Sequence, residues 1–271
     1  MIIHRPSPRP PTLVAGAVRT ASANDVPVGR VLDRREVLAL LGAGWAMLAA
    51  GCGRESGRQP PAGATASATP PAPVCVVRPA QTEGPYFVDE RLERSDIRAD
   101  PADGTVSAGL PLALTLVLGR ARAAGCAPLA GAMVDIWHCD AQGRYSDVDD
   151  PHAATVGHRF LRGYQTSDAR GVVRFTTIYP GWYRGRTVHI HIKVRTGLGT
   201  PAAREFTSQL YLDDALTDRI HAQAPYAALG KRSMRNGDDG IFRAGGDQLM
   251  LAPTGTATGL EATFGLGLVD A

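Results

Sequence analysis

The chain has 271 residues, 44% of them hydrophobic and 20% charged, enough apolar content for a packed core in one large domain or two small ones. The net charge of +3 arises within residues 1–52, where Arg5, Arg9, Arg19, Arg30, Arg34 and Arg35 outnumber Asp25, Asp33 and Glu36. The remainder is neutral, which excludes a basic nucleic-acid surface on the folded part.

Asp33-Arg34-Arg35-Glu36-Val37-Leu38 is a twin-arginine pattern, followed by an apolar run from Val37 to Ala50 and then Gly51-Cys52. A basic segment, a short apolar stretch and small residues make a bacterial export signal over residues 1–52. The run of 14 residues is too short to span a bilayer comfortably. Ala49-Ala50-Gly51-Cys52 resembles a lipoprotein cleavage box, with Cys52 as the lipidated residue. The expected location is therefore periplasmic or cell-surface, anchored through Cys52 or secreted. Residues 53–73, rich in Gly, Pro, Ala, Ser and Thr, read as a flexible linker.

The folded domain is expected over 74–252, with 253–271 as a tail in which Leu260–Val269 offers one last strand. Strand signals fall at Leu112–Leu118, Met133–Trp137, Gly163–Thr166, Val172–Ile178, Val188–Val194 and Thr207–Leu212. Asp140-Ala141-Gln142-Gly143 and Asp168-Ala169-Arg170-Gly171 are paired D-x-x-G turns, suggesting two similar hairpin units. Asp214–Leu229 is the one helical candidate, limited by Pro225. The fold class is all-β, one β-sandwich or barrel-like domain. Of the four cysteines, Cys126 and Cys139 bracket a strand and stand too far apart to bridge. Cys75–Cys126 is the favoured pair if Cys52 is lipidated.

Chemistry concentrates in Tyr183-Arg184-Gly185-Arg186-Thr187-Val188-His189-Ile190-His191. In a strand, His189 and His191 share a face while Ile190 points away. Two imidazoles beside a phenol suggest a metal site, and the hard phenolate oxygen favours a high-charge iron centre over zinc. His138, His152, His158 and His221 read as structural or surface residues, Trp137 and Trp182 as core or pocket wall, and Tyr86 as packing near the cavity mouth.

Thr82-Glu83-Gly84-Pro85-Tyr86, Val134-Asp135-Ile136-Trp137-His138, Gly143-Arg144-Tyr145-Ser146, Pro180-Gly181-Trp182-Tyr183, Arg186-Thr187-Val188-His189-Ile190-His191 and Thr207-Ser208-Gln209-Leu210 follow in order. This set resembles the intradiol ring-cleavage dioxygenase family, which includes catechol 1,2- and protocatechuate 3,4-dioxygenases, over about residues 75–245. The resemblance implies Fe(III) held by Tyr145, Tyr183, His189 and His191. It makes Arg186 an electrostatic stabiliser, Tyr183 a ligand that leaves and takes a substrate proton, and Gln209 an active-site residue. It implies a catecholic substrate and O2, opening of the ring between its two hydroxyl-bearing carbons, and a muconate-type diacid product. The helical segment through which intracellular relatives dimerise is replaced here by signal and linker, so a monomer or a different dimer is expected. Two alternatives stand beside it: another His-ligated metalloenzyme, which needs a carboxylate or third histidine, and a non-catalytic prealbumin-like surface-binding module.

Overall fold

The computed structural model describes residues 75–122, 125–150 and 153–269. The expected export signal, Cys52, the linker at 53–73 and His152 lie outside these residues. In chain order the strands are β1 (Pro111–Arg122), β2 (Gly125–Pro128), β3 (Met133–Trp137), β4 (Asp149–Asp150), β5 (Ala153–Ala154), β6 (Arg162–Thr166), β7 (Val172–Ile178), β8 (His189–Thr196), β9 (Arg204–Tyr211), β10 (Thr254–Thr256) and β11 (Gly259–Val269). Two helices, α1 (Asp214–His221) and α2 (Gly240–Arg243), and three single turns of 3₁₀ helix fall between β9 and β10.

β1 organises the first sheet. It pairs in parallel with β11 from Leu112 to Ala121. Its other edge takes β7 antiparallel along Pro111–Val117 and then β2 along Gly119–Arg122. The second sheet has the order β6-β3-β8-β9, every pair antiparallel. Leu112, Leu114, Leu116 and Leu118 alternate along β1 as a half-buried strand requires. They join one hydrophobic cluster with Phe175 of β7, Phe264 of β11, and Val134, Ile136, Ile190 and Ile192 of the second sheet. Each such aliphatic side chain contributes about 1.5–3 kcal/mol on full burial.

The six strands read from the sequence all form: β3 and β7 with the expected bounds, β1 and β6 extended, β8 shifted to His189–Thr196 and β9 to Arg204–Tyr211. The helical stretch is shorter than expected. Asp213 caps α1 by accepting from the Leu216 N–H, and the helix stops at His221 before Pro225, with a separate 3₁₀ turn over Tyr226–Leu229. The two D-x-x-G turns form, but neither closes a hairpin. Asp168–Gly171 carries the chain from β6 in one sheet to β7 in the other. The Asp140–Gly143 turn leads out of β3 into a loop.

The folded region also extends past Ala252. β11 lies against the whole length of β1, and Ala262, Phe264 and Leu266 are buried. The last strand offered by Leu260–Val269 forms as β11, with Leu260, Ala262, Phe264, Leu266 and Leu268 in unbroken alternation and Gly265 and Gly267 on its other face. Gly267 is required by packing: a Cβ there would stand 2.8 Å from the Cys75 carbonyl carbon, because residues 75–77 run beside β11 and the Gly267 N–H donates to the Val76 carbonyl. Cys75 is bonded to Cys126 at the far end of β1's neighbour β2, and Cys139 is free and buried. Phe264→Ala is expected to cost about 3–5 kcal/mol, read from urea or thermal unfolding. A loss under 1 kcal/mol would mean that β11 is dispensable.

Candidate metal centre

Every residue of β8 from His189 to Arg195 is buried, although a strand presents alternate side chains to opposite faces. Ile190, Ile192 and Val194 enter the shared core. His189, His191, Lys193 and Arg195 occupy the other face, which is roofed by residues 82–89. Arg195 is held by Asp89 (3.1 Å) and Asp135 (2.8 Å). Lys193 pairs with Glu83 and sits 4.2 Å over the Phe87 ring. The neighbours of His191 across the sheet are Trp137 and Gln209. The Trp137 indole stacks on the His191 ring with centroids 4.7 Å apart.

The two tyrosines arrive on loops. At the D-x-x-G turn after β3, the Asp140 carboxylate accepts from the Gln142 and Arg144 N–H groups, both at 2.9 Å. Gly143 adopts a φ of +78°, and a Cβ on it would stand 2.2 Å from the Trp182 carbonyl. A Cβ on Gly181 would stand 2.2 Å from the Asp140 carbonyl. Glycine at both positions lets the two backbones touch, which brings the Tyr145 and Tyr183 rings to 5.5 Å. Tyr183 Oη is 3.5 Å from His189 Nε2, and His189 Nε2 is 3.0 Å from His191 Nε2. The structure thus brings Tyr145, Tyr183, His189 and His191 into one cluster.

Their hydrogen bonding leaves donor atoms unsatisfied. His189 Nδ1 donates to the Thr187 carbonyl at 2.7 Å, so its Nε2 presents a lone pair. Tyr145 Oη and His191 Nδ1 are buried without a protein partner, a costly state. Burial pushes the Tyr145 and Tyr183 phenols above their ordinary range. Burial, then the nearby Arg186 charge, lowers His189 to about 3, and burial followed by His189 holds His191 well below its usual value. The four groups are therefore neutral and ready to donate. Two imidazole nitrogens about 2.1 Å from one cation at right angles stand about 3.0 Å apart, the observed Nε2 separation. These residues fit a phenolate- and imidazole-bound metal ion.

Arg186 lies beside the cluster. Its Nη2 donates to Gln209 Oε1 at 2.5 Å, and Gln209 Nε2 donates to the Thr82 carbonyl at 2.9 Å. Two supporting residues escaped the sequence reading. Asp239, buried, accepts from Arg186 Nε at 2.8 Å and from the Thr187 N–H at 2.9 Å, and its other oxygen caps α2. The only signal was an Asp before the apolar pair Ile241-Phe242, an N-cap pattern. Buried Arg162 donates from Nε to Ser146 Oγ at 2.7 Å and from its terminal nitrogens to the Ser146 and Tyr86 carbonyls. It ties Tyr86 to the loop carrying Tyr145, and the Tyr86 ring stacks on Tyr145 at 4.4 Å. Trp182 packs at the core edge and donates to the Gly230 carbonyl.

The remaining described histidines are occupied. His138 engages the Cys139 carbonyl and Thr177 Oγ1, His158 engages Asp100, and His221 engages the Pro180 carbonyl. Among the described residues, no group of three or more His, Cys, Asp or Glu converges as a metal site. The carboxylate or third histidine required by the other metalloenzyme reading is therefore not found there.

A family model described as Dioxygenase matches residues 82–238, spanning every residue of the cluster. An intradiol ring-cleavage dioxygenase from Tetranychus urticae is 31% identical, with a TM-score of 0.61, over 72% of this chain and 96% of that one. The dioxygenase domain of a carbohydrate-binding fusion protein from Streptomyces sp. SirexAA-E is 29% identical over 72% of this chain and 100% of that one, with a TM-score of 0.50. The protocatechuate 3,4-dioxygenase beta chain of Burkholderia cepacia is 35% identical over 48% of this chain and 59% of its own length. The chain spans 51–59% of the length of the curated relatives it matches. The chain belongs to the intradiol ring-cleavage dioxygenase family.

Burial pushes the Asp239 carboxyl up, but the Thr187 N–H and the Arg186 guanidinium outweigh it and leave the carboxyl below its ordinary value. Asp239→Ala is expected to cost about 3 kcal/mol, the low end for breaking a buried pair, in urea unfolding. Because its folded pKa is depressed, the stabilisation by Asp239 is complete above the unfolded value of about 3.9 and is lost as pH falls through the lower folded value. The stability gap between wild type and Asp239→Asn should therefore close in acid. A gap constant from pH 7 to 3 would contradict the pairing.

Proposed function

We propose that the chain is a non-haem Fe(III) dioxygenase that cleaves catechol-type rings between the two hydroxyl-bearing carbons with O2, giving muconate-type diacids. The single observation that carries this reading is the convergence of the Tyr145 and Tyr183 phenols on two buried imidazoles whose Nε2 atoms stand 3.0 Å apart, with the buried Tyr145 Oη lacking a protein partner. Tyr145, Tyr183, His189 and His191 would hold the ion. Bound there, ferric iron would supply the positive charge that ionises the phenols and activates a chelated catechol toward O2.

The chain's own residues divide the rest of the work. Tyr183, on the loop ahead of β8 and in contact with His189, would as a phenolate be the base placed to accept a proton from an incoming catechol hydroxyl. Tyr145 is fixed by the Tyr86 stack and by the Arg162 bonds through Ser146, so it stays in place. Arg186, oriented by Asp239 and Gln209, presents a fixed positive charge to a substrate whose ring gathers negative charge. Trp137 holds the His191 ring plane. The two sheets around one core are read as the layers of a prealbumin-like sandwich. The protein is further proposed to be exported through the twin-arginine signal and anchored through Cys52.

Purified iron-loaded protein should be coloured by tyrosinate-to-iron charge transfer, and the band should shift when catechol is added without oxygen. Tyr183→Phe should move the band and lower turnover by about 100-fold or more, followed by oxygen uptake. A colourless iron-loaded protein, or a semialdehyde product in place of a diacid, would overturn the assignment.

A further inference from the structure

β8 has two ends. Its histidines lie at the start, and about 16 Å further along, at about 3.3 Å per residue, Thr196 borders a separate cavity. This cavity, of about 590 Å³, is floored by Val77, Leu129, Val194, Phe206 and Leu268. Arg78 and Arg204 line it, and the described lining residues include one carboxylate, Glu205. Glu205 already engages Lys193. The hydrogen bonds recorded for Arg78 and Arg204 end on backbone carbonyls, so they leave those charges in place.

Exposed aliphatic side chains gather at the same end. Val76, Val77, Leu198 and Val269 are 45–62% exposed, and they are four of the six large exposed hydrophobic residues among those described. Val77 and Val269 line the cavity, and Leu198 follows its lining residue Gly197. Clustered exposed apolar groups ringed by charge mark an interaction surface.

We propose that this end of the domain docks on an anionic lipid surface, the valines and leucine entering the interface while Arg78 and Arg204 meet lipid phosphates. Charge complementarity selects this occupant: arginine near an anionic bilayer is attracted, and the attraction is screened by salt. A second copy is disfavoured, because a two-fold contact would set two patches of the same net charge against each other. The chain enters the domain here, at Cys75 and Val76. The linker expected at 53–73 has a coil reach of about 25 Å, so a lipid anchor at Cys52 would keep a membrane within reach of this end. The proposal rests on this surface and not on the catalytic reading.

The test uses the full chain with Cys52→Ser and one added cysteine: Leu198→Cys, Val269→Cys or, as a control at the other end, Val156→Cys. Cys139 is buried and Cys75 is bonded to Cys126, so an environment-sensitive fluorophore labels the added thiol. With phosphatidylglycerol–phosphatidylethanolamine vesicles, emission from positions 198 and 269 should shift to the blue while position 156 stays unchanged. The shift should weaken with Arg204→Gln and in about 0.5 M salt, where the Debye length is only a few ångströms. The proposal is overturned by no shift, by an equal shift at 156, or by the same shift on phosphatidylcholine vesicles. A shift without vesicles that grows with protein concentration would assign the surface to a second copy and overturn it as well.

Discussion

The structure depends on burying both faces of β8. One face is ordinary: isoleucine and valine meet β1 and β7 across the core. The other carries two imidazoles and two cations, which a core cannot absorb without partners. The segment from Glu83 to Asp89 solves this by crossing the sheet with carboxylates over Lys193 and Arg195 and an aromatic ring between them. Where it passes the histidines it has no carboxylate to offer. Gly84 leaves room there, since a Cβ would stand 3.5 Å from His191 Cε1, and Tyr86 covers the phenols. The polar face is thus closed by ion pairs at one end and carries the imidazoles beside the unpartnered Tyr145 Oη at the other.

The second constraint is close backbone contact. Tyr145 and Tyr183 are 38 residues apart and sit on separate loops, so nothing local brings them together. The approach of the Asp140–Gly143 turn to Gly181-Trp182 does so, and it tolerates no Cβ at either glycine. Precision in the site therefore comes from two loops locked against each other, supported by strands that hold the histidines and Gln209 in register. Arg162 and Asp239 extend the lock outward, one to Tyr86 and the other to α2, so distant segments share the placement of a few reactive atoms.

The legible parts of the sequence were those with a local signature. Alternation over His189–Val194 placed both histidines on one face, and Val172–Ile178 and Met133–Trp137 were recovered whole. The D-x-x-G turns were visible because Asp and Gly occupy set positions in the turn, but what each turn connects is a tertiary fact, and the hairpin reading failed for that reason. β11 was visible as alternation over Leu260–Val269, but its parallel pairing along the whole of β1, and hence its place in the domain rather than in a tail, is a tertiary fact. Gln209 stands in a motif of its own, whereas Asp239 has no motif and acts through partners more than 50 residues away. Arg162 reads as an ordinary strand arginine until Ser146 and Tyr86 are seen beside it.

The electrostatics explain why tyrosine, rather than aspartate, suits this position. A buried carboxylate pair would carry charge before any ion arrived and would need its own cations to remain folded. Phenols pushed up by burial stay neutral, and the depressed imidazoles stay neutral with them, so the unloaded cluster costs unsatisfied hydrogen bonds but no buried charge. Arg186 is balanced by Asp239. The site can therefore fold as a nearly uncharged pocket and take on charge only when a cation enters. On the proposed reading, that favours an ion of high charge, because two phenols must be ionised against their burial. A dication would be left without net charge once both phenolates formed, whereas a trication keeps one positive charge for an anionic substrate.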